Sequence, residues 1–380
     1  MNYLQYIHSV YQPEYVNNDI RYLVSGIDFR VRKVLGQYIV NSIYESGKTL
    51  FILDSTQSGS AFTDFGGFKV MDPLNGDVNL CYDLLEVSSL KEVSRLRSLL
   101  SDLGFDGTKA MKVISYLSFV KETERRLGNH SPLNVEVLEQ YSGTSMVKWK
   151  LWQLVENGML SKESYEYLLC RYTEVSGAAA DFEMFLVMLA PFLNGNFQPS
   201  SGIAVHLPVG EFASDRPMQE VLCKLMISYI KNQAAACSVL IVDDGKCDRG
   251  CIIDVLKTLP TATDVHFFTT DAFSMREEDL SVLMGTFPVR IYSRHDSMSS
   301  CSRIEACCGH VDVVKRSYTT IDKRIRASTA FDMLLGTNRT EAEIRNAPVR
   351  EARYRKETIN ALCPGAAIID CGGTQALFQF

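Results

Sequence analysis

The runs TLFILD at 49–54 and SVLIVDD at 238–244 are apolar without alternation and close on aspartate. A strand with one wet face alternates polar and apolar residues, so a strand that does not alternate is covered on both faces. Cover on both faces calls for helices above and below a sheet, reached by β-α-β crossovers, and therefore for mostly parallel strands. This feature constrains the fold more than any other in the chain.

The flanking sequence fits it. Arg21-Tyr22-Leu23-Val24 predicts a strand ending at Ser25-Gly26, and Val31, Val34, Leu35, Tyr38, Ile39 and Ile43 then recur at helical spacing, with Gly47 as a stop. Further strands are predicted at 203–207, 265–268 and 289–292, with a helix opened by Asp215 and Pro217. AAIIDCGGTQALFQF reads as a hairpin about Gly372-Gly373. Between these parts, SLKEVSRLRSLLSDLG, TKAMKVISYLSFVKETERRLG, SMVKWKLWQLVENGML and DFEMFLVMLAPFL are all helical patterns, with breaks at Gly104, Gly128, Gly143, Gly158 and Gly177. The expected organisation is an α/β part at 1–87, an all-helical insertion at 88–197, and the rest of the α/β part with its hairpin at 198–380.

Composition narrows the class. A net charge of −6 and a hydrophobic share of 46% are ordinary for a soluble globular chain. No run approaches the roughly 20 apolar residues of a membrane span. The first residues lack a basic stretch followed by an apolar one, which predicts no secretion signal, no membrane insertion and a cytoplasmic location. The eleven cysteines are then read as reduced thiols. Cys247/Cys251 and Cys301/Cys307/Cys308 lack the C-x-x-C spacing of zinc sites, and no metal is expected. Lys323, Arg324, Arg326, Arg339, Arg345, Arg350, Arg353, Arg355 and Lys356 alternate with glutamates, which predicts a solvated helical surface.

Gly47-Lys48-Thr49 matches the end of the phosphate-binding signature G-x-x-x-x-G-K-[ST] but follows a helix and precedes a strand. That is the reverse of what a phosphate loop needs, because its glycines must open a helix whose N–H groups face the phosphates. The position with the right context is Ser25-Gly26-Ile27-Asp28-Phe29-Arg30-Val31-Arg32-Lys33. There Val31 stands for the second glycine, Arg32 for the lysine and Lys33 for the Ser or Thr that holds Mg²⁺. Asp28 adds negative charge where phosphates would lie, while Arg30, Arg32 and Lys33 offer cations.

In order, LVSGIDFRVRKV, FILDSTQSG, FKVMDPLNGDVNLCYDLL, the helical insertion, LIVDDGKC, HFFTTDAFSM, PVRIYSRHD and the final hairpin resemble the motor domain of FtsK/HerA-like translocases. Within that group the set is most similar to the cytoplasmic domain of type IV secretion coupling proteins. The resemblance implies a RecA-like P-loop NTPase sheet. It places Ser25, Gly26, Arg30, Arg32 and Lys33 at the phosphate loop, Asp243 and Asp244 at the magnesium-supporting acids, and Thr270 at the polar sensor. Asp244 is one methylene shorter than the glutamate that would orient the attacking water.

The reading that follows is a pseudo-ATPase subunit of a conjugation or type IV secretion system. It needs no cofactor and acts through contacts with other secretion subunits, including an active paralogous ATPase. Two alternatives stay open. One is a divergent hexameric ATPase that uses ATP and Mg²⁺ to move DNA, and the other is an unrelated α/β protein with a small-molecule site.

Overall fold

The computed structural model describes residues 5, 21–56, 67–72, 85, 87, 89–130, 133–189, 202–212, 216–232, 236–244, 249–260, 263–322 and 340–380. The chain falls into two compact units, Met1–Ser293 with Pro364–Phe380, and Arg294–Cys363. The strands are β1 (Tyr22–Ser25), β2 (Thr49–Asp54), β3 (Lys69–Met71), β4 (Ile203–Leu207), β5 (Cys237–Asp243), β6 (Asp264–Thr269), β7 (Val289–Tyr292), β8 (His310–Asp322), β9 (Thr340–Ala352), β10 (Ala366–Cys371) and β11 (Thr374–Gln379).

In the first unit, nine strands form one sheet in the order β11-β10-β7-β1-β6-β5-β2-β4-β3. From β7 to β3 every neighbour is parallel. β10 runs antiparallel to β7, and β11 antiparallel to β10. β2, β5 and β6 are buried along their whole length, which is why their sequences do not alternate.

One face is covered by α1 (Phe29–Glu45), whose Val31, Leu35, Ile39 and Ile43 pack with Leu50, Ile52, Leu240, Val242 and Phe268 of the sheet. Full burial of each such side chain is worth about 1.5–3 kcal/mol. On the other face Phe51 meets Tyr229, ring centroids 5.3 Å apart. α1 is capped by Ser46, and Gly47 follows with φ +71°, a turn that a side chain would strain. Lys48 is taken up by an ion pair with Asp264 at the start of β6. The Gly-Lys-Thr triplet is therefore a helix stop and a strand start.

Among the described residues, six helices lie between β3 and β4: α2 (Leu90–Asp102), α3 (Gly107–Arg126), α4 (Val135–Glu139), α5 (Thr144–Glu156), α6 (Lys162–Val175) and α7 (Ala179–Leu189). α6 fills the interval between Gly158 and Gly177, burying Leu168, Tyr172 and Val175. The core here is aromatic. Tyr116 stacks on Phe182 at 4.5 Å and donates its hydroxyl to Tyr141 O at 2.7 Å. Both tryptophans of the chain, Trp149 and Trp152, sit about half exposed on α5.

The unit is completed by α8 (Arg216–Asn232), α9 (Arg249–Thr258) and α10 (Glu277–Thr286). Asp215, the expected cap of α8, lies outside the described residues. No helix among the described residues is long and apolar enough to cross a membrane.

The second unit contains α11 (Met298–Cys308), the hairpin β8–β9, and α12 (Lys356–Asn360). The hairpin is antiparallel and registered from His310 opposite Ala352 to Asp322 opposite Thr340. This corrects the sequence expectation of a helical surface, since Arg345 and Arg350 lie on a strand, with Arg350 opposite Asp312. Pro348 is compatible with β9 because each strand of a two-stranded ribbon keeps one unpaired edge. Lys323, Arg324, Arg326 and Arg339 lie outside the described residues. Cys301, Ile304 and Cys308 are buried on one face of α11, and Cys247 lies outside the described residues.

His266 is the polar exception within a buried strand. It lies against the Tyr22 ring at 5.7 Å. Burial pushes its pKa down to about 4, aided by Lys48 and Arg21 and opposed by Asp264. It is neutral in the folded chain, whereas the unfolded chain binds a proton below about pH 6.5. Stability is therefore full above pH 6.5 and falls toward pH 4, by about 3 kcal/mol for this one group. Urea titrations across that range on the wild type and His266→Phe are expected to show a flatter pH slope in the variant. An unchanged slope would remove His266 from the account.

Candidate functional site at the carboxyl edge of the sheet

In an open parallel sheet, ligands sit beyond the carboxyl ends of the strands. Here β1, β2, β5 and β6 end in Ser25, Asp54, Asp243 and Thr269, all buried. The strand interiors are apolar, so the polar side chains gather at these ends.

The β1–α1 connection is three residues long, Gly26-Ile27-Asp28. Gly26 N donates to Thr269 O at 3.0 Å, tying the turn to β6. Asp28 is extended and caps α1, its Oδ1 accepting from Arg30 N at 2.8 Å and Val31 N at 3.3 Å. Its Oδ2 accepts from Gly365 N at 2.7 Å. A helix N-terminus attracts an anion through its unbonded N–H groups and its dipole. At α1 the protein's own carboxylate takes that role. Residues 29–33, which a phosphate loop would use partly as loop, are already helical.

The approach of Gly365 depends on its lacking a side chain. Its φ is +82°, and a Cβ there would lie 2.8 Å from the Gln379 side-chain nitrogen, 2.9 Å from Phe380 O and 3.0 Å from Arg30 Cδ. Phe380 N donates to Gly365 O at 2.6 Å, so the end of the C-terminal hairpin closes against this same place.

The other expected loop residues are placed as follows. Ser25 Oγ accepts from Ala272 N at 3.0 Å, and Ser25 O accepts from Ser293 N at 2.9 Å, so Ser25 joins β1 to the segments after β6 and β7. Arg30 and Lys33 are exposed on the first turns of α1. Arg32 is partly buried, and burial holds its guanidinium pKa below the ordinary value against the pull of Asp28 and Asp244.

Asp243 is fully buried and surrounded. Ser55 Oγ lies 3.3 Å from its Oδ1, Thr269 Oγ1 donates to Oδ2 at 3.2 Å, and Arg249 Nε is 3.3 Å from Oδ2. Ser55 Oγ also accepts from Asp244 N at 3.0 Å and lies 3.4 Å from Asp244 Oδ1. One hydroxyl therefore bridges the two acids, and Arg249 places a positive charge beside Asp243. Thr270, half-buried, donates its N–H to Asp243 O at 3.3 Å. Thr269, one residue earlier, is the threonine whose hydroxyl reaches Asp243.

Sequence reasoning placed the sensor in Thr269-Thr270-Asp271 but chose Thr270 over Thr269, and it passed over Ser55, Arg249 and the pair Asp54–His206. His206 Nε2 lies 3.2 Å from Asp54 Oδ2, while Asp54 Oδ1 accepts from Thr56 N at 2.9 Å and Thr56 Oγ1 at 2.7 Å. The available signal was positional, since all of these residues but Arg249, which opens α9, fall at or next to the polar ends of apolar strands. Among the described residues, no group of three or more His, Cys, Asp or Glu is placed to hold a metal.

No family model matches the chain, and no curated protein matches it in sequence. Solved structures do. The bacterial conjugative coupling protein TrwBdeltaN70, in its unbound monoclinic form, gives a TM-score of 0.51 at 12% identity, covering 95% of this chain and 84% of that one. TrwB in complex with ADP and Mg²⁺ gives 0.46 at 13% identity over 94% and 84%. VirB4 of Thermoanaerobacter pseudethanolicus gives 0.43 at 8% over 95% and 88%. The likeness to the first shows the fold that the sequence resemblance implied: a mostly parallel α/β sheet with flanking helices, as in a bacterial conjugative coupling protein.

Asp28→Ala removes the acceptor of three backbone N–H groups and is expected to cost about 1–2 kcal/mol. Asp28→Asn, which keeps an acceptor, is expected to cost less. Chemical denaturation of the two variants measures the difference. Equal losses would mean that the negative charge at the helix end matters more than the hydrogen bonds.

Proposed function

We propose that the chain is a coupling-protein-like subunit of a conjugation or type IV secretion machine that works through protein–protein contacts and without ATP turnover. The observation that carries this is the Asp28 carboxylate on the first N–H groups of α1, at the place where a P-loop fold receives phosphate. A phosphate arriving there would meet a like charge, a connection too short to cradle it, and the backbone of Gly365.

Two further features support the reading. Lys33 stands where a hydroxyl would hold Mg²⁺, and Asp243 is already partnered by Arg249 and Thr269. The similarity in fold to a conjugative coupling protein supports the class of machine. In this reading, residues 88–197 form the helical insertion within an α/β frame of 1–87 and 198–380. The partners are other secretion subunits, including an active paralogous ATPase, and the location is cytoplasmic. DNA contact is not required.

The test is phosphate release from Mg·ATP, with and without duplex DNA, by the wild type and Asp243→Ala. The expected result is a rate at background for both proteins. Mg²⁺-dependent turnover that disappears in Asp243→Ala would overturn the proposal in favour of a working DNA translocase.

A further inference from the structure

Away from the carboxyl edge, α2 presents two unlike faces. One buries Leu96, Leu99 and Leu100. The other, Lys91, Ser94, Arg95, Ser98 and Asp102, recurs at the three- and four-residue spacing that keeps side chains in one row. This row lines a groove of about 340 Å³ whose opposite wall is Ser228 and Lys231 of α8.

Packed helices ordinarily meet through interdigitated side-chain ridges. Here a space remains between them, lined by three cations, three hydroxyls and one carboxylate. Ser228 is buried, and Arg95 Nε is shielded from solvent. Lys91 and Lys231 make no ion pair among the described residues. Cations gathered around one groove repel each other, and an anion between them reverses the sign of that interaction.

We infer that this groove binds the phosphate group of a small ligand. The donor set favours phosphate over carboxylate. A guanidinium fork with two ammonium groups and several hydroxyls can serve three or more oxygens, whereas a carboxylate offers two. Lys91 and Lys231 bring two positive charges to the lining against the one carboxylate of Asp102, and a phosphomonoester near neutral pH carries about −1.5 to −2. A nucleic-acid strand fits less well, because it calls for a continuous basic track and the chain as a whole carries −6. The site uses neither α1 nor Asp243, so it stands or falls apart from the proposed function.

The experiment is calorimetric titration of the full chain with inorganic phosphate at fixed ionic strength, with chloride and a short DNA duplex as separate arms. Saturable one-site binding is expected. It should weaken about tenfold or more in Lys231→Gln and in Arg95→Gln, and stay unchanged in Lys162→Gln. Lys91 and Lys231 are exposed, and Lys91→Gln supplies a second variant that leaves the fold intact. The inference is overturned by heats that do not saturate, by an equal response to chloride, or by binding that the groove variants leave unchanged. It is also overturned if only the DNA arm depends on these residues.

Discussion

Strands covered on both faces leave no room for polar side chains along their length, and most of this molecule follows from that. β2, β5 and β6 are buried throughout, so their chemistry is displaced to their tips. At the carboxyl tips stand Asp54, Asp243 and Thr269. At the opposite tips, Asp264 is held by Lys48 and lies 3.3 Å from Ser238 Oγ. His266 is the exception in mid-strand, and its lowered pKa records what that position costs the charged form.

Within this frame the carboxyl edge is polar and satisfied by its own parts. The N-terminus of α1 holds an aspartate, the acid that ends β5 holds an arginine, and Ser25 secures the neighbouring loops. A helix N-terminus that binds an anion leaves such donors for its ligand. In this chain the same donors contribute to the fold. That arrangement supports the proposal of a subunit that works through contacts with other proteins.

How much of this was legible beforehand depended on local pattern. The unalternated runs revealed the strands from β1 to β7 other than short β3, because burial on both faces leaves its mark in the sequence itself. The strand-then-helix context at Val24 located the β1–α1 turn, and the same context excluded Gly47-Lys48-Thr49. The β8–β9 hairpin was missed because TEAEIRNAPVREA mixes charges at no clean period and contains a proline. Its ladder is set by the partner strand, which no local window includes. Ser55 and Arg249 were missed, and Thr270 was preferred to Thr269, for a related reason. Each matters through Asp243, and the distance in sequence, from Ser55 to Asp243 above all, hides the contact.

Trp149 and Trp152 both stand on α5, among the helices between β3 and β4. Indole fluorescence of the intact protein is therefore a signal of that helical layer alone. Emission would follow the docking of a partner there, or the local melting of α5, while the central sheet stayed dark. The sheet must be followed by another signal, such as far-ultraviolet dichroism or amide exchange. Two optical transitions that fail to coincide would then measure how independently the helical layer and the sheet unfold.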